Sequence, residues 1–246
     1  MVQHEGGPLA RKLGQYTTLS GAELEVIARL EGQVQTIERH DELFEEGDDG
    51  KHCYVVIDGW AACSKLLPDG RRQIINFMIR GDFLGLRSVL LRVSDHTVTA
   101  LTELRVGMFS AAALRDILAD HPRLATAIFW ALSRDEAIVV EHLVNVGRRN
   151  ALERLAHLII ELGERLKLAG LATDDGYDCP LRQEDFADAL GLTTVHVNRS
   201  LRQLRERQLV SLVNRRMQIR DLRGLAELAH FDDDYLDHEP QSGEVF

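Results

Sequence analysis

Polar and apolar residues alternate in short runs over the first half of the chain. Between about residue 35 and residue 109 these runs end at turn-forming residues, of which Asp58-Gly59 and Pro68-Asp69-Gly70 are the clearest. A period of two is typical of half-buried strands, and Asp-Gly pairs at about ten-residue spacing predict successive hairpins. We therefore expect a small antiparallel barrel, preceded by an amphipathic helix over residues 20–31 that Ser20 caps.

The apolar spacing changes to alternating steps of four and three after Phe109. Ser110 predicts the cap of a short helix, and Pro122 begins a longer one that meets no further glycine or proline before Gly147. This spacing is typical of a coiled-coil seam, so we expect pairing with a second copy of the chain, although packing on its own barrel is the alternative. The predicted dimer interface comprises Ala125, Phe129, Leu132, Glu136, Val139, Leu143 and Val146.

Residues 181–204 have the pattern of two short helices joined by a tight turn. Phe186 and Leu190 mark the buried face of the first helix, Ala187 supplies the small side chain that crossing helices need, and Gly191 permits the turn. The pattern predicts a helix-turn-helix.

The second helix of this motif has a basic outward face once Val197, Leu201 and Leu204 face inward. From Arg199 to Arg223 the chain has eight arginines against two acidic residues, a local charge of +6, although the formal net charge is −10. Arginine can pair with guanine and asparagine with adenine, and a helix N-terminus can hold phosphate. Two further strands predict a wing whose turn follows the phosphate backbone. The predicted DNA-binding residues are Thr193, Thr194, Val195, His196, Asn198, Arg199, Arg202, Arg215 and Arg216.

The order of barrel, long helix, hinge and winged helix-turn-helix resembles that of the cyclic AMP receptor protein / fumarate-nitrate reduction regulator (CRP/FNR) superfamily of bacterial transcription factors. The resemblance covers roughly residues 20–225 and depends on four stretches, Leu43 to Asp48, Val55 to Gly59, Gly81 to Gly85 and Gln183 to Arg199. It implies an α+β fold with an N-terminal antiparallel β-roll (a cupin-like barrel), a long dimerisation helix and a C-terminal winged helix-turn-helix. It also implies a homodimer that binds two-fold symmetric sites on double-stranded DNA, contacts RNA polymerase and regulates transcription, and we expect an activator.

The chain then divides into four segments. Asn145-Val146-Gly147 predicts a hinge, and Asn150 predicts the cap of a helix that runs to about Lys167. We interpret the last segment, which has six acidic residues and no Lys or Arg, as a solvated acidic tail. The segments are a β-roll sensor domain with flanking helices (1–120), a dimerisation helix and hinge (121–147), a DNA-binding domain (148–230) and the tail (231–246).

The barrel departs from the family pattern where cyclic AMP binders hold their ligand. In such proteins a Glu takes the ribose hydroxyls and an Arg-Ser-Ala stretch supplies an arginine for the cyclic phosphate. This chain has Leu86 in place of that Glu and His96-Thr97-Val98 in place of Arg-Ser-Ala. Without the guanidinium a bidentate, charge-assisted contact is lost, which argues against the usual cyclic nucleotide binding. An effector pocket, if one exists, would involve Leu86, Arg87, His96 and Thr97. Val195 likewise replaces a base-reading Glu of many members, so the usual half-site does not carry over.

Other effectors stay open in the sequence. Residues 1–30 contain no cysteine, which argues against the iron-sulfur cluster of the oxygen-sensing branch, and we expect no cofactor and no metal site. Redox control through Cys179, which lies just before the helix-turn-helix, is one alternative, and a dimer regulated only by its abundance is another. Haem is a further alternative because potential axial ligands lie in or near the barrel, namely His52, Cys53, Cys63 and His96.

The sequence gives little support to other classes of function. It contains no Gly-x-Ser-x-Gly, P-loop, Gly-x-Gly-x-x-Gly or His-Glu-x-x-His motif, so we do not expect an enzyme. Its purely apolar runs, such as Ile128 to Leu132, fall far short of the ~20 residues that a membrane-spanning helix needs. The N-terminus also lacks the pattern of a secretory signal. We therefore expect a cytoplasmic protein with no membrane partner.

Overall fold

The computed structural model of this chain describes residues 6–91 and 93–236, which form two compact units. The first unit contains the described residues up to Cys63 together with Phe77–Asp135. The second contains Ser64–Asn76 and Glu136–Leu236. Strands are concentrated in the first unit and at the wing of the second, and helices make up most of the rest, so the predicted α+β class is confirmed.

The N-terminal elements follow the sequence prediction closely at their caps. Ser20 accepts a hydrogen bond from Glu23 N, and Ser110 accepts one from Ala113 N, so each serine caps the helix that it was expected to begin. The elements are α1 (Pro8–Leu13), α2 (Gly21–Gly32), β1 (Val34–Ile37), β2 (Glu42–Phe44), β3 (His52–Asp58), β4 (Ala61–Leu66), β5 (Arg72–Met78), β6 (Phe83–Leu84), α3 (Leu86–Leu91), β7 (Thr97–Ala100), β8 (Leu104–Ser110) and α4 (Ala111–Asp120).

The barrel consists of two four-stranded sheets, with strand orders β1-β8-β3-β6 and β2-β7-β4-β5. The expectation of successive hairpins is wrong at Asp58-Gly59, because β3 pairs with β6 and β8 while β4 lies in the other sheet. Local turn residues specify a reversal of the chain but do not specify which strands pair. At Pro68-Asp69-Gly70 the prediction is correct, since β4 and β5 are neighbours in one sheet.

The barrel interior is apolar and closely packed. Val56, Leu84, Val98 and Val106 are almost completely buried in one cluster. A second cluster includes Leu9 of α1, a helix that the sequence analysis missed because it has only six residues.

Helix α5 spans Pro122–Arg148, and α6 spans Ala151–Leu168. The hinge predicted at Asn145-Val146-Gly147 is therefore wrong, because these residues continue the helical hydrogen bonding and only residues 149 and 150 separate the two helices. The prediction for Asn150 is correct, since its side chain accepts hydrogen bonds from Leu152 N and Glu153 N in a capping box. None of the helices in the described ranges is long and apolar enough to cross a membrane.

The second unit has a four-stranded sheet beside its helices, in which β11 (Val210–Val213), β12 (Arg216–Ile219), β10 (Gly176–Asp178) and β9 (Ala172–Thr173) follow one another in this order. The two predicted wing strands are present, whereas the other two are two and three residues long and lie in a stretch that reads as a loop. The elements are β9 (Ala172–Thr173), β10 (Gly176–Asp178), α7 (Gln183–Leu190), α8 (Thr194–Glu206), β11 (Val210–Val213), β12 (Arg216–Ile219), α9 (Leu222–Ala229) and a 3₁₀ helix (Asp234–Leu236).

The start of the acidic tail is packed, which corrects the prediction of a wholly solvated end. Phe231 and Tyr235 both lie against His157 of α6, with ring centroids 5.0 and 6.2 Å away. The Tyr235 hydroxyl donates to Glu161 Oε2 at 3.0 Å, and Leu236 is buried. Aromatic side chains among the acidic residues provide the apolar surface for this contact. Residues 237–246 of the predicted tail lie outside the described residues.

Candidate DNA-binding interface

Helix α7 is fixed at both ends by its own sequence. At its start, Asp185 Oδ2 accepts a hydrogen bond from Arg182 N at 2.8 Å. At its end, Gly191 adopts φ 62° and ψ 37°, the left-handed conformation that glycine adopts without a Cβ penalty. Leu192 N then donates to Ala187 O at 3.0 Å, which closes the turn before α8. The predicted helix-turn-helix therefore forms at the expected residues.

Helix α8 presents the predicted face to solvent. Thr193 caps it by accepting a hydrogen bond from His196 N at 3.3 Å, while Val197 and Leu204 are completely buried. Leu201 is only half-buried, contrary to the prediction that it faces inward, and Ser200 takes an inward position instead. The predicted outward residues are all exposed, namely Thr194, Val195, His196, Asn198, Arg199 and Arg202.

The polar side chains of α8 differ in how far the protein already satisfies them. Arg202 Nε forms an exposed ion pair with Glu206 Oε1 at 2.7 Å, and Asn198 Nδ2 donates to Gln183 Oε1 at 2.5 Å. Within the described ranges no carboxylate pairs with Arg199, so its guanidinium keeps its donors for an external acceptor. An exposed guanidinium without a carboxylate partner can donate hydrogen bonds to both O6 and N7 of a guanine.

A groove of about 520 Å³ lies between α8 and strand β11. Its lining includes two polar residues that the sequence analysis did not select for DNA contact, Gln183 and Arg205. Arg205 continues the three-residue steps of Arg199 and Arg202, so the helical period could have identified it. Gln183 could not have been found in this way, because folding brings it to Asn198 from the preceding helix. The groove is lined by Gln183, Asn198, Arg199, Leu201, Arg202, Arg205, Val210 and Leu212.

The wing turn places one arginine at its tip. Asn214 and Arg215 have φ values of 50° and 59°, so the two residues form a tight turn of the kind that joins twisted strands. Arg215 and Arg216 are both exposed, and Arg216 Nη1 pairs with Asp178 Oδ1 at 3.0 Å. An arginine at such an exposed position can contact the phosphate backbone of DNA without contacting a base. The DNA contacts of both arginines stay predictions.

Cys179 does not fit the redox role that the sequence left open. It is 1% exposed, and burial raises the pKa of its thiol to about 12. Redox-reactive cysteines are exposed and have a lowered pKa, because the thiolate is the nucleophile. The structure thus argues against an oxidation switch at this residue, and proximity in sequence to the helix-turn-helix gave no information about its burial.

The four residues of the expected effector pocket differ in their surroundings. Leu86 is buried in an apolar cluster, whereas Arg87 is exposed and pairs with Asp95 Oδ1 at 3.2 Å. The same carboxylate oxygen lies 2.7 Å from His96 Nδ1, so one carboxylate contacts both side chains. Thr97 Oγ1 accepts a hydrogen bond from Glu46 N at 3.1 Å.

The proposed haem ligands are also dispersed. His52 is exposed, while Cys53 and Cys63 are buried, and burial raises the pKa of the Cys53 thiol to about 12. A cavity beside His52 and Gly85 measures about 30 Å³, room for little more than a water molecule. A group as large as haem needs a pocket of several hundred Å³. This cavity is too small for haem.

Helix α5 exposes a broader apolar stripe than the sequence predicted. Of the predicted interface, Phe129, Glu136, Val139 and Leu143 are exposed. Ala125, Leu132 and Val146 are half-buried, and Leu132 packs against the apolar core of the first unit, so these three do not belong wholly to an outward seam. Three apolar residues missed by the strict seam spacing are exposed as well: Trp130, Val140 and Val144.

Comparison with known families defines the class of protein. Residues 34–121 match the cyclic nucleotide-binding domain family, and residues 153–228 match the Crp-like helix-turn-helix domain family. The first range covers the barrel and the helix α4 that follows it. The second range contains the helix-turn-helix and the wing. The class is a DNA-binding transcription regulator with a barrel of the cyclic nucleotide-binding type.

Individual relatives make the assignment more specific. The chain is 31% identical to nitrogen fixation regulation protein FixK of Bradyrhizobium diazoefficiens, over 80% of this chain and 82% of that protein. It is 32% identical to FixK of Azorhizobium caulinodans, over 83% and 82%. The solved structure of FixK2 from Bradyrhizobium japonicum superposes with a TM-score of 0.72 at 26% identity, over 79% of this chain and 96% of that one. The chain belongs to the CRP/FNR family of transcription regulators, which confirms the resemblance seen in the sequence.

Proposed function

We propose that this protein is a homodimeric transcription activator that binds two-fold symmetric promoter sites and contacts RNA polymerase. The observation that carries the proposal is the face of α8, where the predicted DNA-binding residues are all exposed and Arg199 has no carboxylate partner among the described residues. FixK, a relative over most of this chain, is a regulation protein of nitrogen fixation by name, and another relative is a transcriptional activatory protein by name.

The dimer is supported by the apolar stripe of α5. Phe129 and Leu143 are 71% and 68% exposed, and both are large apolar side chains fourteen residues apart on one helix. Fourteen residues are two heptads, so the two side chains lie on one line along a supercoiled helix pair. A second copy of α5 would cover the stripe by presenting the same residues to it, as an isologous interface requires. Exposed apolar surface of this kind marks an interaction site.

The barrel is proposed to work without a resident cofactor and without the usual cyclic AMP contacts. The buried Leu86 supplies no acceptor for ribose hydroxyls, and the Asp95 carboxylate contacts both Arg87 and His96. We propose that the protein regulates transcription by binding DNA in the cytoplasm, without an enzymatic step.

Selection of bound fragments from random duplexes tests this function. The purified full chain is expected to enrich inverted repeats whose half-site centres lie about one helical turn, roughly 10 bp, apart. A variant with Arg199→Ala serves as the control and should lose part of that enrichment. Enrichment of a single non-repeated sequence, or of none at low salt, would contradict the proposal.

A further inference from the structure

The tip of the β4–β5 hairpin contacts α7, the first helix of the DNA-binding motif. Arg72 Nη2 lies 3.1 Å from Asp185 Oδ1, and Arg72 Nε lies 2.8 Å from Asp188 Oδ2. Because Asp185 and Asp188 are three residues apart, they share one face of α7. A single guanidinium thus joins two carboxylates through charge-assisted hydrogen bonds. The Asp185 side chain is only 10% exposed, so solvent screens this pair less than an ordinary surface pair.

Neighbouring side chains hold the C-terminal turn of the same helix. Gln73 Nε2 donates to Ala189 O at 3.0 Å and to Ile74 O at 2.9 Å. His142 of α5 lies beside the backbone of the same two residues. Residues of α5, α7 and β5 therefore meet around Ala189, so the C-terminal turn of α7 lies against both α5 and β5.

Residues of α6 add a further contact to the hairpin. Arg165 Nη1 donates to Asn76 Oδ1 at 2.8 Å, and Arg154 Nη1 donates to Leu190 O at 3.0 Å. Strand β5 therefore contacts helices of its own unit at several points, and Arg72 is the residue among them that pairs with α7 through charge.

We propose that Arg72 is a positioning residue for DNA recognition, which acts by holding α7 and through it α8. Helix α8 follows α7 after a turn of three residues, and the two helices pack against each other, with Phe186 of α7 and Val197 of α8 both completely buried. A displacement of α7 is therefore passed to the exposed face of α8. The guanidinium also offsets half of the negative charge of these two carboxylates, which would otherwise disfavour the approach of phosphate more strongly. This inference rests on the proposed binding to symmetric DNA sites.

The adjacent arginine provides a matched control. Arg71 Nη2 pairs with Asp69 Oδ2 at 2.7 Å inside the hairpin turn, and both side chains are more than half exposed. Arg71 is the residue immediately before β5, and its guanidinium pairs within the turn. Replacement of either residue by alanine removes the same charge from the same hairpin, but only Arg72→Ala removes a contact with α7.

The test compares Arg72→Ala with Arg71→Ala in the full chain. On a selected two-fold symmetric duplex, Arg72→Ala is expected to weaken binding about tenfold, within the range of couplings that act through packed elements. Its binding to random duplex DNA should change less than twofold, because phosphate contacts do not need a fixed orientation of α8. Arg71→Ala should match wild type on both. Equal affinities of the two variants on the symmetric site, or tighter binding by Arg72→Ala, would overturn the proposal.

A charge exchange separates positioning from a general loss of stability. Arg72→Asp should lose at least as much affinity as Arg72→Ala, and Arg72→Asp combined with Asp188→Arg should recover most of it. Asp188 is chosen because Asp185 also caps α7. A double variant no better than Arg72→Asp would overturn the role of the ion pair. If the wild-type chain itself shows no preference for symmetric duplexes, the proposed function fails, and that result differs from the failure of Arg72.

Discussion

Helix α8 and the barrel use their polar residues in opposite ways. On α8, Arg199 is exposed and has no carboxylate partner among the described residues. In the barrel, His96 is 7% exposed and its Nδ1 is 2.7 Å from Asp95. Polar groups that are exposed and unpaired can bind a large external partner, whereas those that satisfy each other leave little for a ligand. We therefore expect recognition by this protein to depend on α8, and the following predictions test that contrast.

The largest effect is expected from loss of the dimer. Leu143→Asp places a charge in the exposed apolar stripe of α5, where pairing would bury it without a partner. The variant should be monomeric, and its affinity for a symmetric duplex should fall by about 100-fold or more, because the second half-site no longer benefits from tethering. Molar mass in solution and a binding titration measure both effects. Leu118→Asp, at an exposed leucine of α4, should leave both unchanged, and a dimeric Leu143→Asp would refute the interface.

The next effect concerns the base contact of α8. Arg199→Ala should cost about 1–3 kcal/mol and relax discrimination at one base pair of each half-site, since a bidentate pair with guanine is lost. Titrations against duplexes that carry each of the four base pairs at every position of the half-site would locate the relaxed position. A loss that is the same for all of these duplexes would show that Arg199 contacts only the backbone.

A smaller and uniform effect is expected at the wing. Arg215→Ala removes a charge from the exposed turn but no base contact, so specific and random duplexes should weaken alike, each by a few-fold. The dependence of log K on log salt should lose about one unit of slope. Affinities at several salt concentrations measure this slope. A selective loss on the symmetric site would instead assign base recognition to Arg215.

The smallest effect is expected in the barrel. Cyclic AMP should leave the melting temperature and the DNA affinity of the wild-type chain unchanged, because Leu86 and His96 replace the groups that hold the ribose and phosphate. A ligand that binds the native state raises the melting temperature as its concentration increases. A melting temperature that rises with the concentration of cyclic AMP but not with that of AMP would show that the barrel retains a cyclic nucleotide site.

The sequence predicts the faces of α8 well because a helix has a fixed period and because this helix has only one apolar side. The serine and asparagine caps are equally local, since a side chain bonds a backbone amide three residues away. Leu201 was misassigned because it lines the groove beside β11 and is only half-buried. The α5 stripe was predicted too narrowly because the exposure of each side chain depends on packing, which buries part of Leu132 and leaves Val140 exposed.

Long-range features were beyond sequence reasoning. The change of sheet at Gly59 depends on pairing between β3 and β8, whose residues are about fifty positions apart. The contact of Arg72 with Asp185 joins residues separated by 113 positions, and no local pattern of charge reveals it. The packing of the segment from Phe231 to Leu236 was missed because its acidic composition indicates a solvated tail, although two of its aromatic residues pack against α6. The burial of Cys179 likewise needs the three-dimensional structure.

Protection of guanine N7 atoms from methylation tests the central claim most directly, because this atom lies in the major groove. On a selected duplex the wild-type chain should protect guanines in two stretches, related by a two-fold axis and about 10 bp apart between centres. Arg199→Ala should expose one guanine in each stretch to methylation. Protection confined to a single stretch, or a pattern that Arg199→Ala leaves unchanged, would contradict the conclusion that two copies of α8 read the DNA.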